Sequence, residues 1–535
     1  MIAATALVVL PVGAQPLPHN PTPHRIQHTW VGDLTLDQAI TLALRQNPTV
    51  LKALWSIEQT RGEIIEVRAE ALPHLTVTSS YYAQSKSLAN AATGAGASNS
   101  SASSSPNVGS QIQQQLAGIP GLSPSIAKQV AQTVQSNIAQ AVAAANSNSP
   151  TLNDQSWNVQ VQGSQVIYAG GQVAAAINIA KFAEASAYFS LRDTIDQIID
   201  TTRQQFYTVL LNRALIKVQE ESVKLLQDQL KDQQNRFEAG TVPRFNVLQA
   251  EVALANQQPQ LISARNAYVI SEYQLARTLD IDPGKAGQTT YNAVGQLEVF
   301  ERPLGLRNAI QMGIEHRPFL KVQRLLILST KEQVKVALAG YKPQINAVGG
   351  FQERNVPTSD RLDDVVNGWF FGVYGTWNIF DGLQTYGAVK AARAQLESAR
   401  VNYDDAVHQV AQEVEQAYAN VQTARETIRS QQKVVEEALE ALRLATERLA
   451  AGAGVQLDVL NAQVALTQAR TTDYQALANY NTALAEFDRV TATSTTYAEA
   501  FDDPLLRRVP KDPVIEVAPD AAPPVPTPVP GKKKH

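Results

Sequence analysis

The chain has 535 residues, a formal net charge of −4 and no cysteine. The missing thiol excludes disulfide scaffolds, cysteine-based zinc sites, thiol catalysis and a lipid-modified N-terminal Cys, and the near-neutral balance argues against the basic stripe of a general nucleic-acid binder. No run of eighteen apolar residues occurs, which excludes a transmembrane helix; aromatic content of 6% favours long helices packed through small side chains.

Residues 1–14 (MIAATALVVLPVGA) form a short apolar run ending in Val12-Gly13-Ala14, the small-residue pattern of a signal-peptide cleavage site. A Pro-rich linker follows over 15–33, in which His19, His24 and His28 read as linker residues. Thr35 and Gln38 are spaced as a capping box for a helix over 36–46 that stops at Asn47-Pro48. Strand periodicity then appears over 74–82, with Leu75, Val77 and Tyr81 against His74, Thr76, Thr78 and Ser80. Residues 84–154 are rich in Ala, Ser, Asn, Gln and Gly, and read as a long polar loop with one weak helix near 125–145. A second strand covers 157–167, with Trp157, Val159, Val161 and Ile167 on one side. A proline-free helical pattern runs through 172–238, breaks at Gly240-Thr241-Val242-Pro243, and returns over 244–280 to Asp282-Pro283-Gly284.

Beyond residue 303 the same order recurs. A helix occupies 319–340. Strands occupy 344–352 (Ile345, Ala347, Phe351 against Gln344, Asn346, Gln352) and 369–379 (Trp369, Phe371, Val373, Trp377, Ile379 against Tyr374, Thr376, Asn378). A long helix covers 384–450, a tip Gly452-Ala453-Gly454-Val455, and a return helix 456–492. The Pro-rich segment 500–535 cannot bury enough apolar surface to fold and is expected to be disordered.

The recurrence is a duplication. LTLDQAITLALRQNPTV (34–50) reads against LGLRNAIQMGIEHRPFL (304–320); Pro48 pairs with Pro318 and Pro73 with Pro343, each 270 residues on. VIYAGGQ (166–172) reads against NIFDGLQ (378–384), and RFEAGTVPRFNVLQA (236–250) against RLAAGAGVQLDVLNA (448–462), each 212 residues on. The change of offset places an insertion of 58 residues (270 − 212) in the first copy, within 84–154. The expected organisation is a first repeat over 34–303 and a second over 304–499. The second long helix carries a heptad seam at Val407, Val414, Val421, Ile428, Val435, Leu442 and Leu449, and the first carries its counterpart at Ile195, Thr202, Val209, Ile216, Val223, Leu230 and Phe237. About 67 residues make roughly 100 Å of helix, longer than a globular core needs.

Each strand segment has about ten residues, one apolar face with aromatics near its ends and one polar, nearly uncharged face, the dimensions of a membrane-spanning β-strand. Four strands cannot close a barrel, and open edges are not tolerated in lipid. Two copies give an eight-stranded barrel filled by its own side chains; three give twelve strands, wide enough for a lumen. The expected fold class is therefore an α+β membrane protein, internally duplicated, with four transmembrane β-strands per protomer and long coiled-coil helices.

LTLDQAITLALRQNP, its echo at 304–318, the NIFDG before the second long helix and the AGAGVQLDVLNAQ tip, in their duplicated order, resemble TolC-like bacterial outer membrane efflux proteins over roughly 34–493. The resemblance implies a homotrimer with a 12-stranded barrel in the outer membrane, in contact with its lipid, and a periplasmic α-barrel. It implies the channel component of a tripartite efflux or type I secretion system, a passive exit duct. It implies two partners, a periplasmic adaptor (membrane fusion) protein and an inner-membrane pump of RND, ABC or MFS class. Asp458 falls on the first of the family's two constriction aspartates; the second position is Asn461, and Asn246 is the first-copy counterpart of Asp458. A lone ring of Asp458 would focus fewer charges. The family's tip Arg corresponds to Gly454, so no gating salt bridge carries over. Gly240, Thr241, Val242, Pro243, Gly452, Ala453, Gly454 and Val455 would contact the adaptor, and Trp157, Trp369, Phe371 and Trp377 would sit at the membrane interface. Asp458 also reads as an ordinary first-turn acid complementing a helix dipole. No catalytic triad context, GxGxxG or Walker loop occurs, so neither enzyme activity nor a cofactor, metal or nucleic-acid partner is expected. The competing reading is an elongated periplasmic coiled-coil adaptor without channel activity.

Overall fold

The computed structural model describes residues 30–83, 128, 132–134, 136, 155–282, 284–285, 288–300, 302–356 and 361–493. The expected signal peptide, the linker up to residue 29, most of the 84–154 insertion and the 500–535 tail lie outside these residues. The five described positions between 128 and 136 are helical.

In chain order the elements are β1 (Gly32–Leu34), α1 (Leu36–Gln46), α2 (Pro48–Ala69), β2 (His74–Ala83) and β3 (Gln155–Ala169). The long helix α3 (Gln172–Glu238), its return α4 (Arg244–Leu279) and the short strands β4 (Gly284–Lys285), β5 (Gln288–Thr289) and β6 (Tyr291–Ala293) complete the first repeat. The second has α5 (Leu306–His316), α6 (Pro318–Leu338), β7 (Gln344–Asn355), β8 (Val365–Thr376), the long α7 (Gln384–Ala450) and its return α8 (Gln456–Val490). The segment expected as a strand over 369–379 pairs instead over Val365–Thr376, because β7 reaches to Asn355 and holds its partner to Val365. Thr35 caps α1 as a capping box: its Oγ1 accepts from the Gln38 N–H, and the Thr35 N–H donates to Gln38 Oε1 at 3.0 Å.

The chain forms two compact units. The described residues within 56–187 and 321–405 make up the sheet unit. Its four strands are antiparallel in the order β2-β3-β7-β8, which leaves β2 and β8 as edges. The duplication is visible in its geometry. All ten β2·β3 pairs, from His74↔Ser164 to Ala83↔Gln155, recur in β7·β8 with 270 added to the first residue and 212 to the second, from Gln344↔Thr376 to Glu353↔Asn367. Ile64, Val67, Ala176, Ile177 and Ala180 pack where α2 meets α3, and their counterparts Val334, Ala337, Ala388, Val389 and Ala392 pack where α6 meets α7. Gly170 and Gly382 occupy the turns into the long helices at φ +64 and +65, a region that costs residues bearing a Cβ roughly 1–2 kcal/mol.

The described residues within 30–55, 188–320 and 406–493 make up the helical unit. Val414, Val421 and Ile428 of the α7 seam, with Ala417 beside them, are buried against Ala476, Tyr480, Leu484 and Phe487 of α8, the interlocking that a heptad pattern specifies. The return helix α8 also lies along α3. Gln233 Nε2 donates to Gln456 Oε1 at 3.0 Å, Gln463 Nε2 to the Ser222 carbonyl at 3.3 Å, and Arg470 pairs with Glu221 at 2.6 Å. The first repeat's own return, α4, packs on α3 through Arg265–Glu220 at 2.7 Å and the Asn212 amide on the Ala267 carbonyl at 3.3 Å.

Candidate channel surface and helix tips

The sheet presents two chemically distinct faces. Strand pairing puts the odd-numbered residues Leu75, Val77, Tyr81, Val161, Phe351, Trp369, Phe371 and Val373 on one face, and all are exposed, Trp369 by 82%. The other face carries Thr76, Thr78, Ser80, Asn158, Gln160, Gln162, Asn346 and Gln352, with Gln160 Nε2 donating to Gln162 Oε1 at 2.7 Å. An apolar face this extensive, open to its surroundings, belongs against another apolar phase. Trp157 is half-buried and donates Nε1–H to the Leu362 carbonyl at 3.1 Å; Trp377 donates to the Tyr341 carbonyl at 3.1 Å. Both rings combine an apolar body with a satisfied polar end, as interfacial tryptophans do.

Both helix tips end by one mechanism. Gly240 lies at φ +72; its N–H donates to the Phe237 carbonyl and the Thr241 N–H to Arg236. Gly452 lies at φ +74; its N–H donates to Leu449 and the Ala453 N–H to Arg448. This is the Schellman pattern, which needs a left-handed residue at its centre. Gly454 approaches the end of α7 closely: a Cβ there would lie 3.1 Å from both Arg448 Cβ and the Leu449 nitrogen, tighter than ordinary contact. Pro243 and Val455 are the N-caps of the return helices, without side-chain cap bonds. Asp458 is exposed in the first turn of α8, its N–H donating to the Val455 carbonyl at 3.1 Å, and Asn461 is exposed one turn on. Asn246 is half-buried in the first turn of α4.

A charged cluster in the helical unit lies outside the sequence reading. Asp488 is gripped by Arg302 at 3.0 Å and Arg203 at 3.3 Å. Arg489 pairs with Glu486 at 2.6 Å and lies 3.7 Å from Asp200. Burial, followed by the neighbouring Glu486 carboxylate, pushes Asp200 up to about 7, although Gln204 Nε2 donates to it at 2.9 Å. For Glu486, burial is outweighed by Arg489, which holds its carboxyl below the usual range. Asp200 sits two residues before the first-repeat seam at Thr202, on another side of the helix, so the seam gave no sign of its burial. Among the described residues no group of three His, Asp or Glu is placed to hold a metal ion, and no helix is long and apolar enough to cross a membrane.

The family model described as "Outer membrane efflux protein" matches residues 140–279 and 309–493, more than half of the chain. The chain belongs to the outer membrane efflux protein family. Protein CyaE of Bordetella pertussis is 31% identical over 173 residues, 32% of this chain and 36% of that protein. Nodulation protein T of Rhizobium leguminosarum bv. trifolii is 25% identical over 288 residues, 52% of this chain and 57% of that protein. The chain thus spans about a third to three fifths of the length of these relatives. A solved membrane protein from Pseudomonas aeruginosa superposes with a TM-score of 0.66 at 17% identity, covering 86% of this chain and 91% of that one. The CmeC outer membrane channel of Campylobacter jejuni gives 0.65 at 16%, covering 86% of each. At such identity the likeness establishes the fold: outer-membrane-channel architecture, mostly helical with a β-strand part. The protein is an outer membrane protein with long periplasmic coiled-coil helices.

Proposed function

We propose that three copies of this chain close a 12-stranded outer-membrane barrel continued by a periplasmic α-barrel, and that the assembly is the passive exit duct of a tripartite efflux or type I secretion system. The observation that carries this reading is the four-stranded sheet with an apolar face, a polar face and two unpaired edges. Lipid tolerates such a sheet only when its edges are closed, and twelve strands leave a lumen lined by the polar face. The relatives named Alkaline protease secretion protein AprF and Toxin and drug export protein A support an export role.

The partners of this reading are a periplasmic adaptor, meeting Gly240–Pro243 and Gly452–Val455, and an inner-membrane pump of RND, ABC or MFS class that selects the cargo. Asp458 would ring the periplasmic mouth with three carboxylates, and Asn461 and Asn246 would line it without charge. Trp157, Trp369, Phe371 and Trp377 would hold the barrel at the lipid interfaces. Purified protein in planar lipid bilayers is expected to give small, cation-favouring conductance steps. Asp458→Ala is expected to weaken divalent-cation block from the periplasmic side. Water-soluble protein with no conductance would overturn the duct and favour the adaptor reading.

A further inference from the structure

The polar face of the sheet is not polar throughout. On β2 and β3 its even-numbered positions carry Thr76, Thr78, Ser80, Asn158, Gln160 and Gln162, whereas on β8 they carry Gly368, Phe370, Gly372 and Tyr374. The two repeats have parted here: 212 residues on, Asn158 becomes Phe370, Gln160 becomes Gly372 and Gln162 becomes Tyr374. The opposite face already carries the apolar residues, so rings on this side add nothing to burial in lipid. We infer that the polar face carries a saccharide-binding strip, in which Phe370 and Tyr374 stack on the flat C–H faces of neutral pyranose units and the amides of Gln160, Gln162, Asn346 and Gln352 hydrogen-bond their hydroxyls. This rests on the threefold duct proposed above, whose lumen this face would line, and names a class of solute that the duct would hold in passing.

Three observations support it. First, the ring at 370 has a place to lie. In the first hairpin Ser80 pairs with Asn158; at the equivalent place in the second, Gly350 pairs with Phe370. A Cβ on Gly350 would stand 2.9 Å from Phe370 Cζ and would strike the Val161 carbonyl. The ring therefore reaches over bare backbone, which fixes it in place as a cross-strand glycine does for an aromatic neighbour. Phe370 is half-buried there and Tyr374 is exposed. Second, the amides stand beside the rings. Gln162, Gly350 and Phe370 form one row across β3, β7 and β8, and Asn346 is the pair of Tyr374. Gln352 and Gln160 pair in the next row on the same face. Two strand spacings put the backbones of Gln162 and Phe370 about 10 Å apart, with only glycine between them. Gln160 Nε2 donates to Gln162 Oε1 at 2.7 Å, and among the described residues the Gln162 amide N–H groups have no acceptor.

Third, the strip is uncharged. Gln160, Gln162, Asn346, Gln352, Phe370 and Tyr374 are all neutral side chains, and Arg354 lies one row beyond Gln352. A charged solute finds no counter-charge within the strip. A wholly apolar solute would displace water from the amides and leave them unpaired, which opposes binding. A pyranose meets both demands: the hydroxyls at its edge donate and accept as amides do, and its axial C–H groups make a flat apolar surface for an aromatic ring. Phe370 and Tyr374 lie four residues apart on β8, about 13 Å, so successive sugars of one chain can engage both.

Full-length protein, extracted from outer membranes in an amine-oxide detergent that carries no sugar, is titrated with maltohexaose and read by saturation-transfer NMR on the sugar C–H protons. The expected result is transfer that saturates with concentration; polyethylene glycol of matched hydrodynamic size is expected to show none that saturates. Phe370→Leu keeps apolar bulk over Gly350 without the flat ring, and is expected to weaken binding at least about fivefold. Gln162→Ala leaves the ring and its glycine in place and is expected to weaken binding about threefold. Phe371→Leu removes a ring from the opposite face of the same strand and is expected to leave binding unchanged. No saturable transfer, equal transfer to the glycol, or equal weakening by Phe371→Leu overturns the strip. Unchanged binding in Phe370→Leu, or in Gln162→Ala where Phe370→Leu does not assemble, overturns it as well. Native mass separates the two ideas: a threefold complex without saturable binding removes the strip alone, and a complex that is not threefold removes the duct.

Discussion

The two long helices, α3 and α7, have equal length and the same heptad pattern 212 residues apart, yet they are covered differently. Two return helices grip α3: α4 through Glu220–Arg265 and α8 through Ser222, Glu221 and Gln233. Over 431–450, by contrast, α7 leaves Val434, Leu439 and Leu444 exposed. The pattern is the same and the burial is not. Sequence writes the packing face of each helix, but one copy supplies a full set of neighbours to only one of them.

The largest expected effect separates the helices at their cores. Phe206 of α3 is fully buried, and Phe206→Ala is expected to destabilise a copy by about 3–5 kcal/mol through lost transfer energy and a cavity. Its counterpart Tyr418 is half-buried, so Tyr418→Ala should cost less. Thermal unfolding of the detergent-extracted variants, compared side by side, tests the ranking; equal losses would erase the distinction. Next come the return helices. Leu460 of α8 is buried and its counterpart Leu248 of α4 is exposed. Leu460→Ala should lower stability by about 2–4 kcal/mol, whereas Leu248→Ala should leave the folded copy nearly intact and instead reduce the assembled fraction on size-exclusion chromatography.

The third prediction concerns pH. Asp200, on α3, has a folded-state pKa of about 7, above its ordinary value. Between about pH 4 and 7 the folded state holds this proton and the unfolded chain does not, so the Asp200 contribution to stability falls as pH rises through that window. Asp200→Asn should flatten that part of the stability profile, and an unchanged slope would remove Asp200 as its source. The smallest effect is at the tips. Gly452→Ala forces a Cβ into a left-handed backbone and should cost roughly 1–2 kcal/mol, read as faster hydrogen exchange in the last turn of α7.

What sequence could show follows from which interactions are local. Strict periods are local, so the seam through Val407 to Leu449, the alternation around Val77 and Trp369, and the Gly240 and Gly452 terminators were legible. The capping box at Thr35 was legible for the same reason. The end of β8 was not, because a strand's length depends on what pairs with it: β7 extends the start of β8 to Val365, and a free edge lets its end go at Thr376. The charged cluster was hidden because its members come from segments far apart in the chain: Asp200 and Arg203 on α3, Arg302, and Glu486, Asp488 and Arg489 on α8. Asp458 was legible as a first-turn acid, and its exposure at the start of α8 suits both a dipole partner and a mouth-lining charge. The bilayer measurement of Asp458→Ala separates those two roles.

In the duct proposed above, one chain supplies a third of a closed cylinder. The most direct test is the mass of the complex extracted from the outer membrane in mild detergent and measured by native mass spectrometry. A single species of three chains is expected. A stable species of one or two chains that still conducts ions would contradict it.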